Sequence, residues 1–438
     1  MGIKVAKFGG SSVSDAVQLR KIKNIVESDD EIKYVVVSAP GKRFQDDTKV
    51  TDLLYLVKAS QDQNVDYSHF LDIIKERYIE SAKGSGIDID YDKEFEIISE
   101  KMAKKEATTD YLASRGEYLN GKLIAKLLGY DFVDPAGLIR FNKKGQLDEE
   151  ETDKNLYDEL SKHEHAVIPG FYGTDINGEI KTFSRGGSDI TGALVARAMS
   201  AKVYENWTDV SGFLVADPRI IPEAKPMSKV SYQELRELSY MGASVLHDEA
   251  IYPVKQVNIP INIRNTNKPE DPGTLITDEI DPMDSNVITG IAGNKGYTVI
   301  NISKHMMSTE IGFVQRMASV LEDYNVCIEH IPSGIDTISV VVDSKDLEGK
   351  LEDIIEDLWS RLRPDTIEVS DDIAVIATVG RGMSARKGTA ATLFTALAEA
   401  GVNIRMIDQG SSEINIIVGV SVDDFEKAVR AIYDAFEF

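Results

Sequence analysis

Cysteine is almost absent: Cys327 is the one thiol in 438 residues. No internal disulfide can form, and such usage fits a reducing compartment, the cytoplasm. Positive charge is scarce as well. Lys and Arg number 49 against 73 Asp and Glu, a balance of −24, which argues against nucleic acid or an anionic membrane as partner, since both reward a basic surface. An anionic small molecule stays compatible where cations gather locally. The opening Met1-Gly2-Ile3-Lys4 carries no long apolar run, so neither a signal peptide nor a membrane span is expected. The spaced-glycine dinucleotide pattern is missing too, because Gly9 and Gly10 are adjacent and follow a lysine, Lys7.

What remains is 42% hydrophobic and 28% charged, the make-up of a soluble globular protein with a real core. The length allows two or three domains at roughly 150 residues each. The chain is organised around Lys7-Phe8-Gly9-Gly10-Ser11-Ser12. An apolar run (Ile3, Val5, Phe8) ends there and a helical pattern (Leu19, Ile22, Val26) begins. Strand, glycine turn and helix N-terminus in succession gather N–H groups and a favourable dipole for an anion, and Lys7 adds a point charge. An ordinary strand-to-helix turn is the other reading of the same residues. The run 34–39 (Tyr-Val-Val-Val-Ser-Ala) reads as a second buried strand of a parallel sheet, with Ser38 at the edge where open α/β sheets take ligands. Gly41–Lys49 is polar and reads as a mobile loop, Thr51 opens a helix, and Ser114-Arg115-Gly116-Glu117 leads into another.

A second glycine loop raises the odds of an anion site. Ser184-Arg185-Gly186-Gly187-Ser188-Asp189 follows a strand at 166–171 and a hairpin at Asn177-Gly178. Ser188 is a plain N-cap and Asp189 a first-turn acid, yet Arg185 beside paired glycines exceeds what capping needs and suits a carboxylate or phosphate. Thr208-Asp209 ends a further strand, Asp217-Pro218-Arg219 is a turn carrying a cation, and Pro260–Asn265 is read as the last strand before a boundary near 285. The remainder repeats at a shift of 76: Gly312 falls on Gly388, Val326-Cys327-Ile328 on Val402-Asn403-Ile404, and Gly334 on Gly410. Each copy reads βαββα(β), the ferredoxin-like order. The second, lacking its last strand, is expected to borrow residues 287–292, and the tail's edge strands to serve as an assembly surface.

Lys7–Val13, Ser114–Glu117, Ser184–Asp189, Asp217–Arg219 and Gly410–Asn415 occur together in an order that resembles the monofunctional aspartate kinases over essentially the whole chain. The resemblance implies an open, mainly parallel amino-acid-kinase sheet sandwiched by helices (1–285), then two ferredoxin-like ACT domains (297–370 and 371–438). It implies transfer of the γ-phosphoryl of ATP, with Mg²⁺, to the side-chain carboxylate of L-aspartate. By that likeness Lys7 and Asp189 are catalytic, and Lys7, Phe8, Gly9, Gly10, Thr208, Asp209 and Arg219 bind the nucleotide. Ser38, Thr51, Glu117, Arg185, Gly186 and Ser188 hold aspartate, and no protein metal cage is expected. Met307, Gly312, Phe313, Val314 and Glu329 fall where the family binds a lysine or threonine effector, between chains of a homodimer or homotetramer. The sequence departs from the family at Leu214, where many members carry Tyr, and at Ser244, where many carry Lys. An amino-acid-sensing homologue without turnover, or a related kinase with another carboxylate substrate, are the competing readings.

Overall fold

Strand β1 (Lys4–Phe8) is buried on both faces and lies at the centre of the first sheet. The computed structural model describes residues 2–184, 186–242, 248–279 and 286–438. Chain order continues α1 (Ala16–Glu27), β2 (Ile32–Val37), α2 (Val50–Asp62), α3 (Ser68–Gly84), α4 (Asp92–Ala103), α5 (Thr109–Leu128), β3 (Asp131–Phe132), α6 (Glu149–Leu160) and β4 (Ala166–Pro169). A hairpin of β5 (Tyr172–Thr174) and β6 (Ile180–Thr182) follows, then α7 (Gly187–Ala198), β7 (Val203–Thr208), β8 (Lys229–Val230), α8 (Tyr232–Tyr240), α9 (Asp248–Lys255), β9 (Ile261–Asn265) and β10 (Thr274–Ile276). Among the described residues the strands order as β3-β4-β2-β1-β7-β9-β10-β8. Pairing is parallel from β3 through β9, and β10 turns antiparallel on β9. Pro260–Asn265 is therefore followed by one more strand.

Apolar periodicity builds the covering layer. In α1 the buried Leu19, Ile22, Ile25 and Val26 make one stripe, each contributing about 1.5–3 kcal/mol relative to exposure. Helix α5 is buried nearly all round, starts at Thr108, whose hydroxyl accepts from Tyr111 N–H at 3.0 Å, and stops at Gly129 with φ 69°. Successive strands from β1 go to β2 on one side and, after α7, to β7 on the other. That reversal is a topological switch point, so a ligand crevice is expected beyond the carboxyl ends of β1, β2 and β7.

Packing divides the chain into two units: Met1–Phe213 with Ser228–Tyr232 and Val245–Asp278, and Leu214–Met227 with Gln233–Ser244 and Glu279–Phe438. Two segments of the stretch before 285 thus group with the tail.

The second unit holds β11 (Gly290–Ser303), α10 (Phe313–Asp323), β12 (Thr337–Asp343), α11 (Leu351–Leu362), β13 (Thr366–Val379), α12 (Thr389–Glu399), β14 (Ile404–Asp408), β15 (Asn415–Ser421) and α13 (Phe425–Ala435). Its sheet runs β12-β11-β13-β15-β14. The repeat is visible in the helix starts: Gly312 and Gly388 both cap with positive φ, at 79° and 94°. Residues 290–295 pair antiparallel with 374–379, in the second copy, while 299–303 pair with 366–370 in the first. One expected element is reduced. Val326–Ile331 forms only a bridge from His330 to Val341, and His330 instead turns its Nδ1 to Asp408 Oδ2 at 3.0 Å, linking the copies.

Candidate active site

Backbone hydrogen bonds carry the ladder past the strand ends into the crevice edge. Gly9 N–H donates to Trp207 O at 3.0 Å, Ser38 N–H to Phe8 O at 3.1 Å, and Gly170 N–H to Val37 O at 2.9 Å. The Gly9–Gly10, Ser38, Gly170 and Thr208 positions are thereby brought to one edge of one sheet. Gly41 N–H bonds Gly10 O at 2.8 Å, and a Cβ on Gly41 would stand 2.6 Å from Gly10 C, so only glycine permits that approach.

Lys7 is 7% exposed, and its Nζ lies 2.5 Å from Asp189 Oδ1. This brings together the cation of the first glycine loop and the acid of the second, 182 positions apart in sequence by subtraction of 7 from 189. Asn206 Nδ2 donates to the same Oδ1 at 2.8 Å. With Lys7 buried, Asp189 partly buried and the carboxylate also hydrogen-bonded, the pair is held more firmly than a surface ion pair.

The two glycine loops differ in how they end. Gly10–Val13 is a short 3-10 turn, and α1 begins only at Ala16, its first N–H groups at Val17 and Gln18 accepted by Asp15. The helix N-terminus expected behind Gly9–Gly10 is therefore already filled by its own cap, and Lys7 supplies the positive charge there. Helix α7 is the open one. Its cap is Gly186, at φ 59°, with no side-chain cap bond, so Ser188 lies inside the first turn rather than at the cap. Uncapped N–H groups at a helix start suit an anion. Ser188 is fixed there by Gly170, where a Cβ would meet Ser188 Cβ at 2.6 Å.

Glu117 faces the same edge from α5. It is 5% exposed, and its Oε2 has no partner among the described residues. Burial pushes its carboxyl up to about 8, against the opposing pull of the Ala39 N–H, Arg115 and Lys7. One turn on, Asn120 donates Nδ2 to Ser38 O at 2.6 Å. Glu117 and Asn120 thus grip the two ends of the Ser38–Ala39 peptide. Thr51 is partly buried in the first turn of α2, and the Thr208 hydroxyl meets Asp209 at 3.2 Å.

Arg185 and Ser244 lie outside the described residues. Arg219 belongs to the second unit, where its guanidinium pairs with Asp217 at 2.6 Å in an exposed turn. In the tail, Met307 and Phe313 are core residues, 7% and 3% exposed, whereas Gly312 is partly buried and Val314 exposed. Glu329 takes a hydrogen bond from the Tyr240 hydroxyl. Gly41–Lys49, read as mobile, is clamped: buried Arg77 bonds Thr48 O at 2.6 Å and Gly41 O, and meets Asp47 at 3.3 Å. Sequence reasoning missed Asn206, Asn120 and Arg77. The signal for Asn206 was a polar residue inside an otherwise buried strand, Val203–Thr208.

A mainly parallel sheet with this lysine–aspartate pair at its carboxyl edge defines a phosphotransferase of the amino acid kinase family, whose pattern matches residues 2–265, with an ACT domain match at 376–436. Aspartokinase 3 of Bacillus subtilis (strain 168) is 38% identical over 448 aligned positions, 99% of this chain and 98% of that protein. The crystal structure of Clostridium acetobutylicum aspartate kinase superposes with a TM-score of 0.93 at 50% identity, covering 100% of both chains. Escherichia coli aspartokinase III, solved with lysine and aspartate, shares the fold at a TM-score of 0.74 and 24% identity over 99% of this chain and 100% of that one. The chain belongs to the aspartokinases, ATP-dependent kinases that phosphorylate the side-chain carboxyl of aspartate. Among the described residues no helix is long and apolar enough to cross a membrane.

Proposed function

We propose that the crevice at the carboxyl ends of β1, β2 and β7 is where ATP and L-aspartate meet. The observation that carries this is the Lys7–Asp189 contact at 2.5 Å beside the uncapped start of α7. The aspartate side chain is ionised near neutral pH and needs no base. Its oxygen attacks the γ-phosphorus, the bond to the bridging oxygen of ADP breaks, and 4-phospho-L-aspartate and ADP leave. The obstacle is repulsion between two anions, so the protein's task is positioning and charge compensation. Lys7 neutralises the transferring group, with Phe8, Gly9 and Gly10 shaping the turn beneath it, and Asp189 aims Lys7. The start of α7, with Arg185, Gly186 and Ser188, takes the substrate's α-carboxylate, while Glu117 takes its ammonium, beside Ser38 and Thr51. Thr208 and Asp209 are assigned to the nucleotide.

Among the described residues no group of three or more His, Cys, Asp or Glu could hold a metal. Mg²⁺ would come to the site on the triphosphate and supply charge neutralisation there. The scheme assigns 1–285 to catalysis and 297–370 and 371–438 to regulation, with lysine or threonine as effector near Gly312, Val314 and Glu329, in a cytoplasmic homo-oligomer. ADP release with Mg-ATP, measured on L-aspartate, L-glutamate and a nucleoside monophosphate with and without lysine or threonine, tests it. Turnover confined to aspartate is expected. Turnover on another acceptor overturns the substrate, and none at all with tight lysine binding identifies a sensor.

A further inference from the structure

Asn206 stands directly opposite Lys7 in the parallel ladder of β1 and β7. Side chains alternate along strands, so paired positions present the same sheet face. Lys7 and Asn206 therefore rise side by side, and Asp189, in the first turn of α7, comes down on both. Both donors end on one oxygen, Asp189 Oδ1, at 2.5 Å and 2.8 Å. Asn206 is 4% exposed, in a strand whose register neighbours on the other face, Glu205 and Trp207, bond each other at 3.0 Å and leave this edge. The buried amide thus spends its donor on the carboxylate of the reaction centre.

We propose that Asn206 is a positioning residue for phosphoryl transfer: its amide fixes the carboxylate rotamer of Asp189, and Asp189 in turn holds the Lys7 ammonium over the Gly9–Gly10 turn. This rests on the assignment of Lys7 and Asp189 given above. A lysine stem has much rotamer freedom to lose, and a single flexible acid cannot aim it unless that acid is itself held. A neutral donor does this without competing for the ammonium. A leucine of the same size would leave Asp189 free to rotate, and an aspartate would repel it and draw Lys7 sideways.

The test uses the full chain with Mg-ATP and L-aspartate. Asn206→Leu is expected to lower kcat about tenfold, with KM for both substrates within about twofold of wild type and an unchanged melting temperature. Asn206→Asp, which keeps polarity should the leucine variant not fold, lowers kcat about a hundredfold through its competing charge. A crystal structure of either variant reads the mechanism without activity, since Asp189 should turn away from Lys7. Wild-type kcat in Asn206→Leu, a rise in KM for aspartate that accounts for the loss, or an undisturbed Lys7–Asp189 contact in the variant crystal each overturns the proposal. A wild-type chain with no aspartate turnover is a different result. It strikes at the assigned reaction, while the crystallographic arm still decides the role of Asn206.

Discussion

Glu117 stores a pH dependence in one side chain. Burial pushes its folded carboxyl up to about 8 from an ordinary value of 4.5. Stability from this group is therefore complete below about pH 4.5 and is lost as pH rises through about 8, because the unfolded chain ionises first. Glu117→Gln is neutral throughout. Urea titrations should show the variant gaining on wild type by up to about 1.4 kcal/mol per pH unit between about pH 5 and about pH 8. A constant difference across that range would mean that the native carboxyl is already ionised. A bound ammonium reverses the preference, since an opposite charge favours the carboxylate. Aspartate binding near neutral pH should then expel a proton, seen as different binding enthalpies in phosphate and Tris buffers. Equal enthalpies would remove Glu117 from the ammonium role.

Helix α3 braces the crevice with two consecutive residues. Arg77 holds Gly41 O and Thr48 O, and Gly41 in turn bonds Gly10; Tyr78 donates to Gly116 O at 2.6 Å, next to Glu117. Asp47 lies between Arg77 and Arg43, whose guanidiniums, Arg43 foremost, hold its carboxyl well below the usual range. Replacing Arg77 by Met strips a buried charge from a partly buried acid and two carbonyls, a loss of about 3–5 kcal/mol in stability. Arg43→Ala, at a more exposed site, should cost under about 1 kcal/mol. Chemical denaturation of both variants checks the contrast, and equal losses would show that the clamp does not depend on burial. At this scale the sequence was legible where chemistry is local. Apolar runs announced β1, β2 and β4, and paired glycines announced both turns. It was silent where partners are remote: nothing near Gly41 shows that an arginine 36 positions later pins the polar loop, a separation seen in the Arg77 bond itself. The same limit explains Asn206, whose purpose is fixed by a residue on another element, and the α1 start, where Asp15 competes with any ligand for the same N–H groups.

For the tail as a whole, the shift of 76 made two copies legible, but their fusion was only half visible. Strands β11 and β13 each run through both copies, so the copies share backbone rather than merely touching. The segment Ala374–Val379 is buried throughout, with Gly290–Lys295 paired along one edge and β15 along the other. The second copy taken alone, residues 371–438, would present that first edge as an unpaired apolar strand, the arrangement most prone to pairing with another chain. A fragment 286–438 keeps the partner strand and should fold with one cooperative transition. It loses the packing of Ala216 and Ile221 into the second copy's core from an earlier segment, together with the bonds of Glu234 to Thr289 and to the Arg381 N–H and of Glu237 to Asn415, a destabilisation of more than about 2 kcal/mol. Circular dichroism melts and sedimentation of the two fragments decide the matter. A monomeric, cooperatively melting 371–438 would show that the shared strands are dispensable. Aggregation of that fragment beside a folded 286–438 would mean that regulatory signals in this tail pass between copies through one continuous ribbon, because neither copy can change the register of β11 or β13 by itself.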